Sequence, residues 1–275
     1  MKRLINQYPS RIGKVLLGLI PFILVIGLYA YASHERLAVN PNDKLMPAFS
    51  TIMDAVHKMA FEPSKRTGEY LLLADTTASL TRLGTAVLIS ALISLVVGIL
   101  VGVIPKARFG LSPIVTAISL IPPLAILPIL FIVFGLGELS KVMLIVLGIT
   151  PFLIRDVQLR VMELPEELII KAQTLGANSW QVITRVVLPQ ILPKLIDALR
   201  LSMGSAWLFL IAAEAISSTE GLGYRIFLVR RYLSMDIILP YVVWITILAF
   251  AMDYLLRKLS ISVFPWQKLA KGDGK

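Results

Sequence analysis

The stretch LGTAVLISALISLVVGILVGVI, residues 83–104, decides the fold class. It carries no charge, and its polar side chains are one threonine and two serines. A bilayer core of ~30 Å needs about 20 such residues in a helix, so the segment predicts a transmembrane span. Similar runs recur at Val15–Ala32, Leu111–Phe134, Val142–Ile154 and Ile237–Leu256. A sixth, Leu195–Ile216, is apolar apart from Asp197, Arg200 and Glu214. Val142–Ile154 has only 13 residues, a length that also suits a buried or re-entrant helix. It is kept as a span because without it the basic loops fall on opposite faces. The expectation is an all-α, polytopic membrane protein with about six transmembrane helices.

Composition points the same way. The chain is 57% hydrophobic and 16% charged, with a mean hydropathy of +0.80, whereas soluble domains are about 45–50% apolar and about 25% charged. The net charge of +10 would suit a nucleic acid, but the bases sit in short clusters between apolar runs. That is the pattern of membrane loops, so the expected surroundings are a lipid bilayer and no nucleic acid. There is no cysteine, hence no disulfide and no thiolate metal site. Lys2, Arg3, Arg11 and Lys14 precede a run ending in Ala30-Tyr31-Ala32, which resembles a cleavable signal. Because further spans follow, a retained anchor is expected.

Basic residues set the orientation. The N-terminal bases, Lys106 with Arg108, the stretch Arg155–Arg200 with six bases and five acids, and the tail all fall on one face if there are six crossings. The tail holds Arg257, Lys258, Lys268, Lys271 and Lys275 against Asp273. Both termini are then cytoplasmic. Residues 1–33 form the cytoplasmic start and first span, and 34–75 an outer loop. Within that loop Pro47–Phe61 has helical apolar spacing and reads as a short amphipathic helix. Residues 76–260 form the core, with a cytoplasmic loop at 164–194, and 261–275 a tail. Gly98 and Gly102 form a G-x-x-x-G that serves close packing either within the chain or with a partner.

Enzyme chemistry has little to stand on. His34 and His57 make no H-E-x-x-H pair, and there is no G-x-S-x-G elbow. Gly13-Lys14 lacks the rest of a phosphate-binding loop. No cofactor or metal is expected in this chain, and any ATP and Mg²⁺ must sit on another. No span is polar enough for a channel, and no inverted repeat suggests a secondary transporter. A purely structural membrane subunit is the remaining alternative.

The longest polar segment reads LPEELIIKAQTLGANSWQVITRVVLPQILPKLIDALR, residues 164–200. Pro165 suits a first helical turn, and Glu166 and Glu167 suit its positive end. Leu168, Ile169, Ala172 and Leu175 form an apolar stripe up to Gly176, a helix-ending glycine. Asn178 or Ser179 can cap a second short helix with Trp180, Val182, Ile183 and Val187, ending at Pro189. Two angled helices with mixed surface charge suit a protein groove; a helix pair lying on headgroups is the alternative.

This segment resembles the EAA loop of ABC importer permeases. Gly176 is its glycine, Ala177–Arg185 its nine-residue spacer, and Val186-Val187-Leu188-Pro189 its close; of the opening Ile170-Lys171-Ala172 only Ala172 matches. Leu175-Gly176-Ala177, Trp180, Leu192-Pro193, Leu199-Arg200-Leu201, Ala206-Trp207, Ala213-Glu214 and Gly221-Leu222-Gly223-Tyr224 look like the nitrate/taurine/sulfonate/bicarbonate group. So do Ser79-Leu80-x-Arg82, Ile121-Pro122-Pro123-Leu124-Ala125 with Pro128, and Phe134-Gly135-x-Gly137-Glu138. The resemblance implies a type I, binding-protein-dependent importer of the bacterial inner membrane. It would comprise two copies of this chain, two cytoplasmic ABC ATPase subunits and a periplasmic or lipid-anchored solute-binding protein. Lys171, Ala172, Leu175, Gly176, Ala177, Trp180, Leu188 and Pro189 would form the ATPase-coupling loop. The solute would be a small anion such as a sulfonate, taurine or nitrate, passed by alternating access.

Polar groups inside spans point to function by default. Arg82 could attract an anion, or pair with Asp75 seven residues earlier. Glu214 could line the outer mouth or bond the turn that follows it. Pro122 and Pro123 break the third span, either as a mobile kink or as a static bend. Trp207 lines the pathway or packs at a helix crossing. Asp253 and Arg257 read as an i, i+4 pair.

Overall fold

The computed structural model describes residues 9–41, 43–64 and 68–266. Lys2, Arg3, Lys268, Lys271, Asp273 and Lys275 lie outside the described residues, as does the side chain of Arg11. In chain order the helices are α1 (Arg11–Val39), α2 (Phe49–Phe61), α3 (Leu71–Val103), α4 (Pro105–Ser119), α5 (Leu127–Phe134), α6 (Glu138–Met162), α7 (Glu166–Thr174), α8 (Ser179–Gln181), α9 (Leu188–Ser217), α10 (Leu222–Arg230) and α11 (Met235–Val263). Among the described residues, five helical runs are long and apolar enough to cross a membrane, and six if α4 and α5 cross together.

α3, α6 and α9 form the core, with Leu83, Ala86, Leu144, Ile145, Ile149, Leu153 and Leu210 nearly or fully excluded from solvent. Close approach depends on small residues. A β-carbon at Gly98 would lie 2.5 Å from Val157 Cγ1, and one at Gly102 would lie 2.6 Å from Val161 Cβ. The G-x-x-x-G of the second span therefore serves packing within the chain, between α3 and α6. Gly148 likewise lies under the ring of Phe209 on α9.

α1 buries none of its apolar stretch in this chain. It is tied to the segment that follows it by Tyr29 and Ser33, whose hydroxyls donate to Pro47 O (2.8 Å) and Met46 O (3.0 Å). Tyr29 also meets Phe49 edge-on, ring centres 5.4 Å apart. The amphipathic helix expected over Pro47–Phe61 is present as α2 and packs on α3 and α11.

The structure corrects several boundaries. The fourth span is not short: α6 has 25 residues and takes in Arg155, Asp156 and Arg160, which read as loop in the sequence. The second span starts at Leu71, more than three turns earlier than its uncharged stretch, because Asp75 and Arg82 find buried partners there. The third span divides into α4 and the Pro123–Phe134 stretch, bent by 83°. Pro122 and Pro123 lie at the break, and Pro128 starts α5 rather than interrupting it. Pro189 does not end the second loop helix. α8 runs through a π-helical stretch, Val182–Val187, into α9, giving one 39-residue helical run, Ser179–Ser217. Pro189 has no N–H to return to Arg185, and the wider π turn ahead of α9 absorbs that missing bond.

Gly98→Val should destabilise the bundle by roughly 1–3 kcal/mol through overpacking against Val157. Thermal unfolding in detergent should show a lower midpoint, while Gly18→Ala, where a β-carbon meets nothing within 4 Å, leaves the midpoint nearly unchanged.

Candidate functional site: a buried charge clamp and an exposed glycine turn

At one end of the bundle, five helices and a turn converge on buried charges. Glu214 on α9 is fully buried and Arg82 on α3 is 3% exposed. Arg82 Nη1 donates to Glu214 Oε1 (2.8 Å) and to the carbonyl of Glu220 (2.9 Å). Its Nη2 donates to Glu138 Oε1 (2.9 Å), and its Nε also bonds Glu138. The carboxylate of Glu220 adds a third anion at 3.7 Å. Lys141, one turn along α6, donates to Glu138 at 2.7 Å. Every guanidinium nitrogen of Arg82 is thus engaged by the protein, and its partner is not Asp75.

Glu214 also accepts from Ser79 Oγ (2.7 Å) and from the backbone N–H of Gly223 (2.8 Å). Of the two sequence readings for Glu214, the structure places it on the turn that follows α9. That turn needs glycine. Gly221 has φ +123°, and a β-carbon there would lie 2.6 Å from the Glu214 carboxylate. A left-handed φ and a close approach to a buried anion leave room only for hydrogen.

Asp75 is also fully buried and pairs with Arg225 on α10 (2.8 Å). It accepts in addition from Tyr241 Oη (2.8 Å) and the N–H of Gly221 (2.9 Å). Burial is the largest single influence on Arg225 and works against its charge, but the hydrogen bond to Asp75 and the Asp75 charge, with smaller help from Tyr241 and Tyr224, together hold the pKa above the ordinary arginine value. The sequence offered no sign of Arg225, because a partner 150 residues away leaves no local spacing. The Asp253–Arg257 pairing is replaced in the same way: Asp253 bonds Arg200 of α9 at 2.8 and 3.0 Å.

Trp207 is buried at 4% exposure, and its Nε1 has no partner among the described residues; Ser90 Oγ and Thr150 Oγ1 share that condition. At the break, Pro122 is exposed and Pro123 half-buried.

At the opposite end, α7 closes on a Schellman motif. The N–H of Ala177 bonds the carbonyl of Ala172 (3.0 Å), and the N–H of Gly176 bonds that of Gln173 (2.9 Å). Gly176 takes φ +83°, so glycine is required by conformation rather than by space. Asn178 then opens α8 with a capping box: its side chain accepts from Gln181 N, and Gln181 Oε1 accepts from Asn178 N, both at 2.9 Å. Pro165 caps α7 from outside instead of occupying its first turn.

The apolar stripe of α7 divides. Ile169 and Ala172 pack on the bundle, as do Ala177, Ile183 and Leu188 beyond the turn. Leu175 and Trp180 stay 89% and 71% exposed at the tip, beside exposed Lys171 and Gly176, while Pro189 is half-buried. The tip is a hydrogen-bonded turn that leaves two large apolar side chains uncovered by this chain.

A bundle of apolar spans fastened at one end by buried charges, with an exposed glycine turn at the other, defines a multi-pass membrane protein. The chain belongs to the family of binding-protein-dependent transport system inner membrane components, matched over residues 94–261. It is 38% identical to the taurine transport system permease protein TauC of Escherichia coli (strain K12), over 69% of each chain. It is 24% identical to the nitrate import permease protein NrtB of Synechococcus elongatus, over 75% of each. Its fold matches that of the MetNI methionine ABC transporter in an inward-facing conformation, with a TM-score of 0.64 at 23% identity, covering 73% of this chain and 99% of that one. The chain is therefore an ABC importer permease, grouped with those of taurine, sulfonates and nitrate.

Asp75→Ala strands Arg225, Tyr241 and the Gly221 N–H together, and should cost about 3 kcal/mol, the low end for breaking a buried pair because Arg225 keeps some solvent. Asp75→Asn retains an acceptor. Thermal unfolding of the purified chain should rank wild type above Asn, and Asn above Ala.

Proposed function

We propose that this chain is the permease through which a small organic anion of the sulfonate type enters a bacterial cytoplasm across the inner membrane. Two copies would work with two ATPase subunits, which hold ATP and Mg²⁺, and with a periplasmic or lipid-anchored solute-binding protein. The observation that carries the reading is the Schellman-capped tip at Gly176. Leu175 and Trp180 are too exposed for a resting surface, and a large apolar pair on a rigid turn suits a groove in another protein. The likeness to a taurine permease supports the solute class.

In this reading both termini face the cytoplasm with the Gly176 turn. Closure of the ATPase pair moves the two turns together. The motion passes through α8 into α9, which the outer clamp ties to α3 and α6, and access alternates. Arg82 and Glu214 act as the fastening of that outer end. Pro122, Pro123 and Trp207 remain the candidates for lining the pathway.

Gly176→Val imposes a left-handed backbone on a β-branched residue, costing at least roughly 1–2 kcal/mol locally. Proteoliposomes with the ATPase and binding protein should then lose most [¹⁴C]taurine uptake, while ATP hydrolysis persists and the permease still inserts. Undiminished uptake would sink the coupling assignment. Absence of uptake for taurine and other alkylsulfonates by the wild type would sink the solute class.

A further inference from the structure

The sequence points to Arg82 as the cation for an anionic solute, but three carboxylates consume it. A different arginine keeps its charge available. Arg155 is exposed on α6, and no carboxylate of the described residues lies within ion-pair distance of it. Its neighbour Asp156 is engaged by Arg160. Arg155 Nη1 instead donates to Ser119 Oγ at 3.0 Å, and Ser119 Oγ donates to Thr116 O at 2.8 Å.

The position of this contact is informative. Arg155 lies seven residues before the end of α6 at Met162, about 10 Å along the axis. Its side chain reaches to the last residue of α4, next to the 83° break. The partial negative charge of that helix end favours a cation without neutralising it. Pro123 has no N–H to return to the carbonyl of Ser119, whereas the carbonyl of Ile118 accepts from the N–H of Ile121 at 3.1 Å. Backbone of that kind is tolerated at membrane depth only against protein or water, and an exposed guanidinium without a counter-ion there calls for water or an anion. Gln158, bonded to Ser112 at 3.1 Å, continues the polar strip along α4 and α6.

We propose that Arg155, positioned by Ser119 beside the broken third span, is the cation that meets the anionic solute in the inner half of the pathway. This rests on the anion-import reading above. The occupant it fits is a small sulfonate or similar oxyanion, which accepts two guanidinium N–H bonds side by side.

The chain contains no cysteine, so a single introduced thiol reports on this spot alone. Ser119→Cys would be placed in the assembled transporter in inside-out vesicles, with Thr116→Cys as a second position one turn back. Each is reacted with 2-sulfonatoethyl and with 2-(trimethylammonium)ethyl methanethiosulfonate, and labelling is read as a mass shift on this chain. The anionic reagent is itself an alkylsulfonate. Adding Arg155→Gln should lower the anion-to-cation rate ratio about tenfold, and Arg155→Lys should restore most of it. A ratio that Arg155→Gln leaves unchanged overturns the proposal. So does failure of both thiols to react with either reagent, which would put the site against lipid or another chain. Failure of the anion-import reading alone shows differently: the ratio still depends on Arg155 while the wild type accumulates no alkylsulfonate.

Discussion

Glu214 carries a carboxylate at zero exposure inside a spanning helix, and the surrounding structure is arranged to match it. Removing one partner of such a pair leaves an uncompensated charge, a penalty of several kcal/mol. Arg82, Ser79 and the Gly223 N–H answer it together, which fixes the heights of α3, α9 and the turn before α10 relative to one another. Glu138 and Lys141 bring the start of α6 into the same register. With these ends aligned, Gly148 falls beneath Phe209, and Gly98 and Gly102 fall beneath Val157 and Val161. The small residues permit close packing, and the charges determine which close packing occurs.

The same clamp explains what could be read in the sequence. Spans were legible because a bilayer imposes a length on apolar runs, and the break at Pro122-Pro123 because proline chemistry is local. The Gly176 turn was legible for the same reason: a helix-ending glycine followed by a capping asparagine leaves its signal within a few residues. Partnerships were not. Asp75 sits seven residues from Arg82 and Asp253 four from Arg257, spacings that suggest pairs along one helix. The folded chain instead joins Asp75 to α10 and Asp253 to α9, because facing helices offer bidentate geometry that neighbours on one helix do not.

Charge also blurred the fourth span. Val142–Ile154 looked short because Arg155, Asp156 and Arg160 end its apolar run, whereas the helix continues through them to Met162. Helices in a bundle need apolar residues only where they meet lipid or core. Helix α10 was missed for the opposite reason: its nine residues between α9 and α11 are held by the Asp75–Arg225 bond and the glycines before it, not by a periodic apolar face.

One consequence follows from the unbroken run that joins the docking turn to the clamp. From Ser179 to Ser217 the chain stays helical for 39 residues, roughly 58 Å at the usual rise. It is a lever whose far end is pinned at Glu214. A sideways displacement of about 5 Å at the turn becomes a swing of about 5° over that length, with the π-helical stretch Val182–Val187 lying near the handle. In the proposed importer the gearing is low, so a large movement at the turn becomes a small one among the spans.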